Sequence, residues 1–340
     1  MKRTHMKAAL LLVALISFSL TVLAAAVPKE LPRPDGKPAD MSKPVQVYLL
    51  MGQSNAVGRG KLASLEAAVK QKKKYPYLVD EAGNWNERKD VRNVFIMMGK
   101  LQLNDWMSVK NRKTVGVEYA IGHLLGNATD APVMILKNCV GNRSLGYDLL
   151  PPSAVGTGAG GKSYEGNKDG TPKDGPWYAG REYDTDVADA KTVLADLDKY
   201  YPGAKKYEIA GIFFWQGAKD LGKGGSADNY EVNLVHFIKD LRKSFNAPKA
   251  LFVCATLGEA KKGGGGNEGK ILDAQLAVDG KTGKYPEFKG NVATFYSNPV
   301  SMGGSANGHY SGNAETYMNV GEGMGRAMLE LIGTSGNSSK

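Results

Sequence analysis

Ser54 stands in the run Met51-Gly52-Gln53-Ser54-Asn55-Ala56-Val57-Gly58, directly after the nearly continuous apolar stretch 45–51. A stretch of that kind reads as a strand buried on both faces. A serine just past such a strand, flanked by glycine and entering a turn or helix, presents its hydroxyl at the strand's carboxyl end. The backbone N–H groups that follow point at the same space, where an oxyanion could be stabilised. This is an arrangement for acyl transfer, although a serine here also reads as an ordinary helix N-cap. The choice between the two rests on a base, because a free hydroxyl is a poor nucleophile near neutral pH. Beyond His5 the chain holds His123, His236 and His309. His123 falls in a helical stretch after Glu118, and His236 lies mid-helix beside Phe237 and Ile238, so both read as structural or surface residues. His309 alone sits in a Gly-rich loop before a helix, where an imidazole can reach across to another strand end. It is the expected base.

The elements that must position these residues alternate. Strand-like apolar runs occupy 45–51, 93–98, 132–137, 207–215 and 250–256, with 291–296 extended. Helical spacing covers 115–125, 184–200, 229–245, 270–278 and 313–332, and Pro202-Gly203 stops the second of these. Such alternation predicts an α/β fold: a three-layer α/β/α sandwich around a central, mostly parallel sheet. Sheets of this class build their sites at the carboxyl ends of the strands. That rule singles out the loops after Met51, Lys137, Trp215 and Thr256. Two irregular stretches interrupt the pattern. Residues 150–181 are rich in Gly, Pro and Lys and read as a substrate-shaping or disordered loop. Residues 257–268 contain Gly263 to Gly266, a flexible run without the Gly-Lys-Ser/Thr ending of a phosphate loop.

Composition sets the class. With 340 residues, 42% hydrophobic and 23% charged, the chain reads as globular, and no linker or repeat divides it. Residues 45–333 are therefore expected to form one domain, preceded by a Pro-rich segment at 27–44 and followed by a polar tail at 334–340. Residues 1–26 read as a signal peptide: Lys2, Arg3 and Lys7, then an apolar run, then Ala24-Ala25-Ala26. That run is short for a membrane span of roughly 20 residues, so export to the periplasm or exterior is expected, with no stable membrane insertion. Removing the three leader cations from the formal charge of +10 leaves about +7. The lysines are scattered, with no aromatic-interleaved stripe, so no nucleic-acid partner is expected. Cys139 and Cys254 each end an apolar run and read as unpaired core residues, and their spacing makes no metal motif.

The ordered blocks carry a resemblance. Gly52-Gln53-Ser54-Asn55 after an apolar strand resembles the nucleophile block of SGNH hydrolases, in particular the branch of sialate O-acetylesterase-like proteins and carbohydrate acetylesterases. Gly116-x-Glu118 follows, then Lys137-Asn138-Cys139-Val140-Gly141-Asn142-Arg143-Ser144-Leu145 with Pro151-Pro152-Ser153. Phe214-Trp215-Gln216-Gly217 with Asp220, and Gly308-His309-Tyr310 with Gly312 to Tyr317, complete the set, which runs from about Gln46 to Leu331. The resemblance implies the flavodoxin-like fold of that superfamily and a serine esterase with Ser54 as nucleophile and His309 as base. It implies an oxyanion hole of the Ser54 and Gly141 N–H groups and the Gln216 side-chain amide, with no metal or organic cofactor. The substrate it implies is an acetylated carbohydrate, polysaccharide or sialic acid. Gln53, Asn55, Asn142 and Trp215 are the expected substrate contacts. Tyr147, Trp177, Tyr178 and Tyr310 are further rings that could stack on sugars.

One position departs from the pattern. The branch usually carries an Asp three residues before its His, and here that residue is Ala306, with no carboxylate between Glu287 and His309. Three readings follow: a Ser–His dyad helped by a backbone carbonyl, a carboxylate from elsewhere (Asp220 or Glu315), or a catalytically inactive carbohydrate-binding protein. Asp220 also reads as a loop-structuring residue, and Glu315 as a first-turn helix residue. Ala218-Lys219-Asp220 departs as well, standing where many relatives have Glu after the Gly. A lipase-like reading would ask for an apolar lid, which the Gly- and Lys-rich loop is not.

Overall fold

The computed structural model describes residues 30–167, 171–222 and 226–337. The leader reading over 1–26 and the last residues of the polar tail lie outside them. The chain opens with β1 (Val45–Gly52), α1 (Ser54–Val57), β2 (Gly60–Lys61) and α2 (Leu62–Lys70). It continues with β3 (Arg88–Met97), β4 (Lys100–Met107), β5 (Thr114–Val115), α3 (Glu118–Ala128) and β6 (Val133–Asn138). After a long irregular segment come α4 (Arg181–Ala195), α5 (Leu197–Tyr200), β7 (Tyr207–Trp215), α6 (Tyr230–Ser244) and β8 (Leu251–Ala255). The chain closes with α7 (Gly266–Ala277), β9 (Val292–Phe295) and α8 (Ala314–Asn337).

Seven strands form one sheet in the order β4-β3-β6-β1-β7-β8-β9, while β2 and β5 pair separately. β1 runs parallel to both β6 and β7, and β4 is the antiparallel member, paired with β3. The strand order reverses around β1, which is where an open α/β sheet leaves a crevice for a ligand. Alternation along β7 shows the layers. Phe213 meets Tyr48 at 6.0 Å between ring centroids, on the face that α8 covers. Phe214 points the other way, 4.7 Å from Phe237 of α6, which in turn meets Tyr183 of α4 at 5.8 Å. Val47, Leu50, Ile135, Leu136, Phe213 and Phe214 are fully buried, each such side chain worth roughly 1.5–3 kcal/mol. Helices thus cover both faces, and the fold is the expected three-layer α/β/α sandwich.

Several details differ from the sequence pattern. The strand expected at 93–98 starts at Arg88 and continues through a hairpin into β4. Met98 and Gly99 both have positive φ (52° and 74°), as a tight two-residue hairpin turn requires. β4 escaped notice because its Gln, Asn and Asp residues are poor strand formers. α2 is likewise additional. The helix expected at 184–200 breaks at Asp196, and α8 continues to Asn337, into the supposed polar tail. Cys139 and Cys254 are buried and unpaired. Among the described residues no helix is long and apolar enough to cross a membrane.

Candidate active site

The carboxyl ends of β1, β6 and β7 meet at the reversal of strand order. β1 ends at Gly52, whose φ is 142° and where a Cβ would lie 2.3 Å from the Trp215 carbonyl oxygen. Only glycine lets β1 and β7 run this close before the chain turns, so Gly52 delivers Ser54 to the first position of α1. The loop after β6 brings Gly141 alongside, where a Cβ would sit 3.5 Å from Ser54 Cβ and 3.9 Å from an Arg59 Nη. The N–H groups opening a helix have no intrahelical acceptor, and the Gly141 N–H has no partner among the described residues. Both are open to a developing oxyanion beside the Ser54 hydroxyl.

His309 Nε2 lies 2.8 Å from Ser54 Oγ, within reach for proton transfer. The loop that carries it is strained. His309, Tyr310 and Ser311 have φ of 51°, 52° and 54°, a left-handed run costing roughly 1–2 kcal/mol per residue. Surrounding contacts hold it in place. Tyr310 is buried, stacked on Trp215 at 5.8 Å, and accepts the Gly258 N–H at 3.0 Å. Asn55 donates to the Ala306 carbonyl at 3.0 Å and accepts from the Tyr317 hydroxyl at 2.9 Å. Glu259, in the loop after β8, accepts the Ala306 N–H at 3.0 Å. Burial, and then the charge of Arg59, push the His309 imidazole below its usual pKa. His309 is therefore neutral, and able to accept a proton, at pH 7.

Among the described residues no carboxylate lies within 4 Å of the imidazole, and the two expected orienting residues are engaged elsewhere. Glu315 is ion-paired with Lys72 and Lys74. Asp220 is buried, accepting the Leu145 and Gly146 N–H groups at 2.9 Å each and the Gln216 amide at 2.6 Å. Burial raises its carboxyl pKa even so. Asp220 is thus a loop-structuring residue. Gln216 is corrected too. Its Nε2 faces Gln53 Oε1 (3.1 Å), the Arg143 carbonyl (2.9 Å) and Asp220, and its Oε1 accepts from Tyr230. Both amide hydrogens are spent inside the protein, so Gln216 braces the loop after β6 and has none left for a substrate. Trp215 and Asn55 are also buried: Trp215 donates to the Thr256 carbonyl at 3.1 Å, and neither faces the cavity.

The cavity beside Ser54 measures about 610 Å³, and its lining includes Gln53, Arg59, Asn142, Lys219 and Asn307 along with Ser54 and His309. Of the expected substrate contacts, Gln53 and Asn142 line this cavity, with the Gln53 Oε1 held by the Gln216 amide and the Gly217 and Lys219 N–H groups. Arg59 and Glu259 were missed from the sequence. Arg59 carried the better signal, a cation five residues after Ser54 in the short link between α1 and β2. Glu259 had none, because its partner is a backbone N–H far along the chain. His123 is buried against Tyr77 at 5.0 Å, and His236 contacts Ser153 Oγ at 2.6 Å on the surface of α6. Tyr178 is buried, donating to Asp184 at 2.7 Å. Among the described residues no cluster of His, Cys, Asp or Glu is placed to hold a metal.

No curated protein matches the chain. Among solved structures, a protein of Arabidopsis thaliana is 17% identical with a TM-score of 0.49, over 84% of this chain and 98% of that one. A carbohydrate acetylesterase from Xanthomonas citri is 15% identical with a TM-score of 0.51, a likeness of fold over 82% of this chain and 55% of that one. A family described as "Carbohydrate esterase, sialic acid-specific acetylesterase" matches residues 44–330. The chain belongs to this carbohydrate esterase family.

Proposed function

We propose that the chain is an exported serine esterase that removes O-acetyl groups from carbohydrate. The observation that carries the reading is the 2.8 Å contact between His309 Nε2 and Ser54 Oγ in the wall of a cavity that also holds Arg59, Asn142 and Asn307. In the proposed reaction Ser54 Oγ attacks the acetyl carbonyl carbon as His309 takes its proton. The negative charge moves to the carbonyl oxygen, which faces the N–H groups of Ser54 and Gly141. The tetrahedral intermediate collapses, the C–O bond to the sugar breaks, and His309 returns the proton to the departing sugar hydroxyl. Water, deprotonated by His309, then attacks the acetyl-enzyme and frees acetate and Ser54. Export rests on the leader pattern in residues 1–26.

A second reading has its own support. With no carboxylate behind His309 among the described residues, a protein that binds acetylated sugar without cleaving it would keep the same cavity. One experiment separates the two: acetate release from 4-nitrophenyl acetate, acetylated xylan and acetylated sialic acid by wild type and Ser54→Ala. The esterase reading expects release that falls by about 10³-fold or more in the variant. No release above background from folded wild-type protein would leave the binding protein.

A further inference from the structure

We propose a second sugar-binding site beside Ser54, which makes the substrate an oligosaccharide or polysaccharide instead of a single sugar; this rests on the carbohydrate reading above. A second cavity of about 490 Å³ opens next to the first. The two share Asn142, Ser144 and Lys219 in their walls, so they form one groove. Each lies in the size range of a small-molecule site, and together they exceed what one pyranose fills. The chemistry of the second cavity suits a sugar. The half-buried Tyr147 supplies an aromatic wall, packed against Leu150, Ala154 and Ala179 and with the Lys162 amine 5.9 Å from its ring centroid, and the Asn142 amide and the Lys219 amine stand beside it as donors. A pyranose needs an apolar face against which to lay its C–H bonds, with donors around it for its hydroxyls.

The site is also preorganised. Asp148 accepts the Ser144 N–H at 2.8 Å, the Ser144 hydroxyl at 2.9 Å and the Trp177 indole N–H at 3.0 Å. The Asp220 grip on Leu145 and Gly146 fixes the residues just before Tyr147, and the Tyr147 carbonyl accepts the Gly180 N–H at 2.8 Å. The turn that supplies Gly141 to the oxyanion therefore continues, braced, into the wall of the second cavity. The far wall comes from Gly160 and Lys162 of the long segment between β6 and α4, which gives that segment a purpose.

The test uses the full chain and two probe pairs, xylose with xylotetraose and sialic acid with its linear tetramer, free and acetylated. Calorimetry with the free sugars reads the second site without turnover, and 4-nitrophenyl acetate hydrolysis reads the Ser54 chemistry without the second site. At least one tetramer should bind about 10-fold more tightly than its monomer, an advantage that Tyr147→Ala removes. Hydrolysis of 4-nitrophenyl acetate by that variant should stay at the wild-type rate. Lys162→Ala, at an exposed side chain, should weaken tetramer binding alone and serves if Tyr147→Ala fails to fold. Equal affinity for monomer and tetramer in both pairs would overturn the second site. Loss of nitrophenyl acetate turnover in wild type would instead count against the esterase reading.

Discussion

Among the described residues Ser54 and His309 have no carboxylate within 4 Å of the imidazole, and the charge that acts on it, Arg59, has the wrong sign for one. Arg59 opposes the imidazolium that forms as Ser54 loses its proton, and with burial it lowers the His309 pKa. The base form is needed for attack, so the acidic limb of kcat/KM should lie below the usual imidazole value of about 6.5. Arg59→Gln should move that limb towards higher pH, and a pH–rate profile that does not move would remove Arg59 from the electrostatics. The same guanidinium lies beside Gly141 and Ser54, where it suits an acidic group on the substrate. Arg59→Gln should therefore also raise KM for acetylated sialic acid more than for acetylated xylan. Ala306 bears on the missing charge. Ala306→Asp places a carboxylate where the branch usually has one, and kcat should rise by about 10-fold if the imidazolium is the uncompensated charge. Ala306 is fully buried, so a thermal melt must accompany the kinetics. An unchanged kcat in a folded variant would mean that the loop holds the imidazole without help.

Loops at four strand ends divide the work. Those after β1, β6 and β7 line the cavity, while the loop after β8 holds the His309 turn through the Gly258 N–H and the Glu259 carboxylate. Glu259 touches no reacting atom, so its loss should act through position. Glu259→Ala should lower kcat by about 10-fold with KM unchanged, the scale of one hydrogen bond to a charged group. Glu259→Gln keeps an acceptor for the Ala306 N–H and should restore most of that rate. Equal losses in both variants would mean that charge, not position, is what Glu259 supplies. Much of this was legible in the sequence. The apolar run before Gly52 located β1, and the Gly-rich loop set His309 apart from the two helical histidines. Side-chain partnerships across the fold were not legible. Gln216 and Asp220 stand in the right loop for catalysis, but their hydrogen bonds are spent on each other and on the 143–146 backbone. The β4 strand was hidden for a local reason, a polar edge sequence behind a tight Met98-Gly99 turn.

At the scale of the molecule, α4 acts as a fastener, and three of its four buried carboxylates tie distant parts to one face of the sheet. Asp184 takes the Tyr178 hydroxyl from the long segment, Asp189 takes the Gly99 N–H of the β3–β4 turn at 2.9 Å, and Glu182 takes Arg143 Nε of the loop after β6 at 2.9 Å. Asp186 is the exception. Neither of its oxygens has a hydrogen-bond donor among the described residues, nor does Glu182 Oε1, and the two carboxyls face one another. One proton shared between them would bridge Asp186 to Glu182 Oε1. Burial and then the Glu182 charge push the Asp186 pKa well above the carboxylate range; Asp189 adds to this and Arg143 opposes it. An acid raised on folding contributes stability that is full below its unfolded pKa, about 3.9, and is lost as pH rises through the folded value. Asp186→Asn stays neutral at every pH, and its amide can donate to Glu182 Oε1. Relative to wild type the variant should melt higher at pH 8, by about 2–4 °C for each kcal/mol recovered, and should scarcely differ at pH 4. A lower melting temperature at pH 8 would mean that the fold needs an ionised Asp186. The pair would then be a charged brace behind the loop after β6 instead of a shared proton.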